Sequence, residues 1–101
     1  MKAVKVQYTV KPDFVEQNKI NIKKVMDKLK NDPIPGMMYS TYTIDSGNTF
    51  VHINMARDGE TMLKLNEIEE FGAFRKALKE SGPLSPPKQT ELDPVAAGFE
   101  L

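Results

Sequence analysis

A chain of 101 residues is the size of one small domain, enough for a single packed core that buries roughly 65% of the unfolded surface. Hydrophobic residues make up 40% and charged residues 28%, which excludes a disordered chain, and 14 basic side chains balance 14 acidic ones. Zero net charge offers no long-range pull toward nucleic acid or an anionic membrane, and the absence of cysteine excludes disulfides and thiolate metal sites.

The opening MKAVKVQYTV has charges inside its first apolar stretch, unlike a signal peptide, and no apolar run approaches the ~20 residues of a membrane helix. The expectation is one cytoplasmic domain over residues 1–101 with no membrane or nucleic-acid partner. Residues 3–10 alternate: Val4, Val6, Tyr8 and Val10 share one face, and Lys5, Gln7 and Thr9 the other, which predicts a half-buried strand. Pro12 and Asp13 end it, and Asp13 with Glu16 reads as a capping box opening a helix from Phe14 to Lys30. At helical spacing Phe14, Val15, Asn18, Ile22, Val25, Met26 and Leu29 form one stripe, with Asn18 its only polar member and Ile20 pointing away. The lysines of this helix form a solvated face.

MMYSTYTI (37–44) and TFVHINMA (49–56) flank Asp45-Ser46-Gly47-Asn48, a hairpin signal. With Ser46 and Gly47 as the loop, Ile44 pairs with Thr49 and Thr41 with His52. One face then holds Met38, Tyr42, Val51, Ile53 and Met55, and the other holds Tyr39, Thr41, Thr43, Phe50, His52 and Asn54. A one-residue slip would exchange one strand's faces. A second helical region runs from Thr61 to Ser81, with Ile68, Phe71, Phe74 and Leu78 at helical spacing and a break near Asn66, which pairs with Glu69 as a second cap. Gly72 reads as a close-packing position. Gly82, Pro83, Pro86 and Pro87 predict a rigid loop before an extended edge segment from Gln89 to Leu101, interrupted at Pro94.

The order β-α-β-β-α-β makes an α+β ferredoxin-like sandwich, with two helices on one face of a four-stranded antiparallel sheet. The other face then holds Phe50 and Tyr39 and needs a cover, which a second copy of the chain supplies. With VQYTVKPDFVEQN at the first strand and helix, FVHI in the third strand and EEFGAFRKAL in the second helix, the chain resembles the dimeric α+β barrel superfamily. Within it, the resemblance is to small antibiotic-biosynthesis-monooxygenase-like proteins. It covers nearly the whole chain and rests on apolar patterning rather than on catalytic motifs. It implies a homodimer with a pocket between sheet and helices that takes an apolar or aromatic small molecule. If the protein is catalytic, the implied chemistry is cofactor-independent oxidation or isomerisation, so no cofactor is expected. The chain has no tryptophan, and its histidine sits on a strand, unlike the haem-degrading relatives with their helix-borne iron ligand, so that chemistry does not transfer.

The candidate site residues each have two readings. His52, the only histidine, is either a general acid–base or a strand residue hydrogen-bonded in a dimer interface. Asn18 either orients a ligand or is satisfied by backbone, and Tyr8 either donates into the pocket or packs in the core. Phe71 and Phe74 line an aromatic pocket or the core, and the six methionines suit either role. One histidine and scattered carboxylates leave no metal ligand set, and there is no Gly-rich phosphate loop or G-x-S-x-G nucleophile motif. Two alternatives stand beside the small-molecule reading. One is a non-catalytic regulatory or interaction dimer. The other is an RNA-recognition module, echoed by GNTFVHINM, which the neutral charge and the lack of an outward aromatic on the first strand oppose.

Overall fold

The alternating strand at the N-terminus takes a central place in a four-stranded antiparallel sheet. In the computed structural model, which describes residues 1–45 and 47–101, the sheet order is β2-β3-β1-β4. The strands are β1 (Lys2–Thr9), β2 (Met37–Ile44), β3 (Thr49–Ala56) and β4 (Ser85–Leu92); the helices are α1 (Val15–Asn31), α2 (Gly59–Leu63) and α3 (Glu69–Glu80). This is the β-α-β-β-α-β ferredoxin-like arrangement, and α1 packs against α3 on one side of the sheet.

The α1 stripe behaves as its spacing requires. Asn18, Ile22 and Val25 are buried, Phe14, Val15, Met26 and Leu29 pack against the core, and Ile20 is exposed. The expected caps are absent, however. A 3₁₀ turn over Pro12–Phe14 leads into α1, and neither Asp13 nor any other side chain caps that turn or the helix. Proline at its start presets φ where its missing N–H costs nothing. The second helical region is three pieces: α2, a 3₁₀ turn over Lys64–Glu67, and α3. Extended Ile68 breaks it, and Asn66 makes no cap. The cap that does form lies elsewhere: Asp58 Oδ1 accepts the Thr61 N–H at 2.7 Å at the start of α2. At the end of α3 Gly82 takes a left-handed φ of 66°, a conformation that favours glycine.

The hairpin register is the expected one, Ile44 opposite Thr49 and Thr41 opposite His52. Asp45 and Gly47 both have positive φ; Ser46, half of the expected two-residue loop, lies outside the described residues. The face assignment is reversed. β1 pairs with β3 so that Tyr8 lies opposite Phe50 and Val6 opposite His52, and residues directly opposite share a face. Phe50, His52 and Tyr39 therefore lie on the helix side, with Phe50 only 1% exposed. The open face carries Met38, Tyr42, Val51, Ile53, Met55 and Leu92 instead. Both faces of β3 carry large apolar side chains, Phe50 on one and Val51 and Ile53 on the other, so its own pattern does not reveal which one meets the helices.

Pro86 and Pro87 are not in a loop but in β4. That strand is an edge, and its register against β1 shifts between Gln7 and Thr9, where the prolines sit. Edges and bulges are where a sheet tolerates residues without an N–H. Regular pairing ends at Leu92, and residues 93–101 form neither helix nor strand. Phe50 stacks on Tyr8 at 5.6 Å between ring centroids within the core of Val10, Ile22, Val25, Leu65, Phe74 and Leu78. Phe50→Ala should therefore lower unfolding free energy by about 3–5 kcal/mol in urea titration; a change under about 1 kcal/mol would place Phe50 outside the core.

Candidate functional site

On the helix side of the sheet, between the strands and the segment from α2 to α3, lies a cleft of about 1170 Å³. Val4, Val6, Tyr8, Tyr39, His52 and Asn54 make its sheet wall; Leu65, Phe71, Phe74 and Leu78 make its helix wall. An apolar cavity of this size with a few converging polar groups is the usual form of a small-molecule site.

The polar groups form one connected chain. Asn18 Nδ2 donates to Tyr8 Oη at 2.9 Å, and Tyr8 Oη lies 2.7 Å from His52 Nε2. On the far side of the ring, Nδ1 lies 2.6 Å from Tyr39 Oη and 3.1 Å from Thr41 Oγ1. The register explains this convergence: Tyr8 and His52 are diagonal neighbours across β1 and β3, and Thr41 faces His52 across β2. With Asn18 donating, Tyr8 donates to Nε2, so Nδ1 carries the ring hydrogen and Tyr39 keeps its hydroxyl proton for the cleft. Turning the Asn18 amide reverses every bond: Nε2–H donates to Tyr8, and Nδ1 accepts from Tyr39, whose oxygen can then receive a proton from a ligand.

Burial governs the electrostatics. His52 is 4% exposed, and desolvation pushes its pKa down to about 4, so it is neutral at pH 7. Desolvation also raises the pKa of Tyr8, with the Asn18 hydrogen bond opposing it, and of Tyr39, where Tyr8 adds to the effect and a Thr41 hydrogen bond opposes it. All three groups stay uncharged, which is what a largely apolar cleft permits.

The five sequence candidates separate. Tyr8, His52, Phe71 and Phe74 line the cleft; Asn18 does not. It is wholly buried behind Tyr8, so it orients a lining side chain rather than forming the polar point of the cleft, and its Oδ1 has no partner among the described residues. His52 makes its bonds within the chain on the helix side, not in the open sheet face. Gly72 does not serve close packing: a Cβ there would meet nothing within 4 Å, and the residue borders the cleft. Tyr39 and Asn54 were missed because the reversed face assignment turned them away from the helices. The diagonal placement of Tyr39 to His52 was the signal that could have found them. Among the described residues no three His, Cys, Asp or Glu side chains group as metal ligands, and no helix is long and apolar enough to cross a membrane.

No family model matches the chain, and no curated protein matches it. Solved structures do. Rv0793 from Mycobacterium tuberculosis superposes with a TM-score of 0.81 at 16% identity, over 97% of this chain and 98% of that one. A structure described as an antibiotic biosynthesis monooxygenase gives 0.79 at 17%, over 95% and 100%. PA3566 from Pseudomonas aeruginosa gives 0.77 at 18%, over 94% of each chain. The chain thus has the ferredoxin-like fold of antibiotic-biosynthesis-monooxygenase-like proteins, along nearly its whole length; at such low identity the likeness is one of fold.

The depressed His52 pKa fixes a pH dependence. The unfolded chain, with an ordinary histidine near 6.5, binds the proton more tightly than the folded one, so stability is full above about pH 7 and falls as pH drops from about 6.5 toward 4. Between about pH 6.5 and 5, above the range of ordinary carboxylates, the loss should be roughly 2 kcal/mol in urea titrations. His52→Gln should flatten that slope; an unchanged slope in the variant would assign it to other groups.

Proposed function

We propose that the protein is a small-molecule-binding homodimer whose cleft removes a proton from an enolisable or phenolic aromatic compound, the opening step of a cofactor-independent monooxygenase-like or isomerase-like reaction. The observation that carries this reading is the Tyr8–His52–Tyr39 chain, buried and neutral, lying along a cleft walled largely by apolar side chains. A neutral imidazole is available as a base at every pH above about 4. With the Asn18 amide turned, so that Nδ1 is the unprotonated ring nitrogen, the ligand's proton passes to Tyr39 Oη as the Tyr39 proton passes to His52 Nδ1, and the ligand anion then stabilises the imidazolium beside it. In the oxidative branch the carbanion adds O₂ and regains a proton as a hydroperoxide. Loss of water then turns CH₂ into C=O, one oxygen atom staying and the other leaving as water. In the isomerase branch the proton returns to a different carbon. The neighbour described as an antibiotic biosynthesis monooxygenase favours the oxidative branch.

The open sheet face supports the dimer. Met38 and Tyr42 are 49% and 57% exposed there beside Val51, Ile53 and Met55, on the face of the sheet away from the packed helices. An apolar sheet face of this kind is covered most economically by its own copy. The tail contributes to the same interface, since Val95 is wholly exposed and Phe99 substantially so.

The reaction is tested with an anthrone in air, without added metal or flavin. The protein should accelerate O₂ uptake, and Tyr39→Phe, which deletes only the hydroxyl, should cut the rate by about 100-fold or more. Saturable anthrone binding with no acceleration would leave a non-catalytic binding dimer, and an unimpaired Tyr39→Phe would remove the relay. In sedimentation at micromolar concentration the chain should run at twice 11.4 kDa, and Ile53→Lys should return it to the monomer mass.

A further inference from the structure

Three side chains on α3 recur at i, i+4 and i+8 toward the cleft: Phe71, Arg75 and Lys79. With Lys2 and Lys76 they give the cleft four cationic side chains, and no acidic one is among its described lining residues. In a chain whose charges balance at 14 against 14, this is a local segregation of sign. Lys2 and Lys76 are held by Glu91 at 3.6 Å and Glu80 at 4.0 Å, but Arg75 and Lys79 pair with no carboxylate among the described residues. The Arg75 guanidinium lies over the Phe71 ring, 5.7 Å from its centroid, with one N–H reaching Asn66 Oδ1 at 3.5 Å. The cation–π contact and the Asn66 bond hold the group in place, and among the described residues its other N–H groups have no partner, so they can take a carboxylate by two parallel bonds.

A second observation comes from the sheet wall. Asn54 is 9% exposed and lines the cleft, yet its Oδ1 accepts no hydrogen bond among the described residues. A buried amide oxygen left unmatched is costly; in this orientation Oδ1 is closed off from the cleft, and a half-turn of the amide, which exchanges O and N, presents it to a donor arriving with a ligand. The rings of Phe71, Phe74 and Tyr39 line the same cleft, with Tyr39 edge-on to Phe71 at 6.1 Å.

We propose that the cleft recognises a hydroxylated aromatic carboxylate. Its acid group lies on Arg75, assisted by the field of Lys79, its ring lies against Phe71 and Phe74, and its hydroxyl donates to Asn54 Oδ1. This rests on the reading of the cleft as a ligand site and adds to it the charge and functional groups of the ligand. Arg75 and Asn54 set specificity; neither belongs to the proton relay.

The test is a fluorescence titration with three probes of one ring system: a hydroxynaphthoate with its groups at opposite ends, the naphthol lacking the carboxylate, and the naphthoate lacking the hydroxyl. The hydroxynaphthoate should bind at least tenfold more tightly than the naphthol and severalfold more tightly than the naphthoate, and added salt should shrink the first difference only. Arg75→Gln, an exposed position, should abolish the preference for hydroxynaphthoate over naphthol while leaving naphthol affinity within about twofold. Asn54→Leu should bring the hydroxynaphthoate down to the naphthoate; the comparison of those two probes on the unaltered protein carries the same information if that variant does not fold. Equal binding of naphthol and hydroxynaphthoate, or a preference that survives Arg75→Gln, overturns the anionic assignment while the cleft remains a ligand site. Equal binding of naphthoate and hydroxynaphthoate overturns the role of Asn54. Failure of all three probes to bind removes the ligand-site reading and this inference together.

Discussion

The pairing of β1 with β3 is the constraint on which the rest depends. By placing Val6 opposite His52 and Tyr8 opposite Phe50, it commits the polar-and-aromatic face of β3 to the helix side. A histidine buried there without partners would cost several kcal/mol. Tyr8, Tyr39 and Thr41, one strand away on either side, meet both ring nitrogens. The same pairing turns Val51, Ile53 and Met55 outward. One register therefore determines both the internal polar chain and the apolar outer face.

That dependence also explains what could and could not be read from the amino acids. The α1 stripe was legible because one face of that helix is apolar and the rest is lysine-rich. β1 was legible because valines and a tyrosine alternate with Lys5, Gln7 and Thr9. The hairpin register followed from turn chemistry. β3 was opaque because Phe50 and Val51, adjacent and on opposite faces, are both apolar, and local patterning carries no information about which side a helix will cover. Tyr39 was lost with it. Pro86 and Pro87 look like a loop because a proline-proline pair removes two ladder donors, a cost that vanishes only on an edge strand whose pairing shifts, and neither condition is visible locally. The caps failed differently: Asp13 and Asn66 have capping chemistry, but a 3₁₀ turn and extended Ile68 move the helix starts away from them.

The candidate site divides along the same line. Tyr8, Phe71, Phe74 and His52 could be named from residue type and spacing. The role of Asn18 as a brace for Tyr8 needed three-dimensional adjacency, as did the openness at Gly72. A glycine inside a helix costs about 1 kcal/mol relative to alanine; here it borders a cleft in which a methyl group would meet no protein atom.

The account stands on His52 being neutral and hydrogen-bonded through both nitrogens within the chain. Nitrogen-15 chemical shifts of the His52 ring, followed by NMR from about pH 8 to 5, address this directly. One protonated and one unprotonated nitrogen, both shifted by hydrogen bonding and unchanging across that range, is the expected result for a buried imidazole whose pKa is pushed down to about 4. A titration centred near the ordinary histidine value of about 6.5 would place the ring in water and contradict the buried chain on which the cleft's chemistry is built.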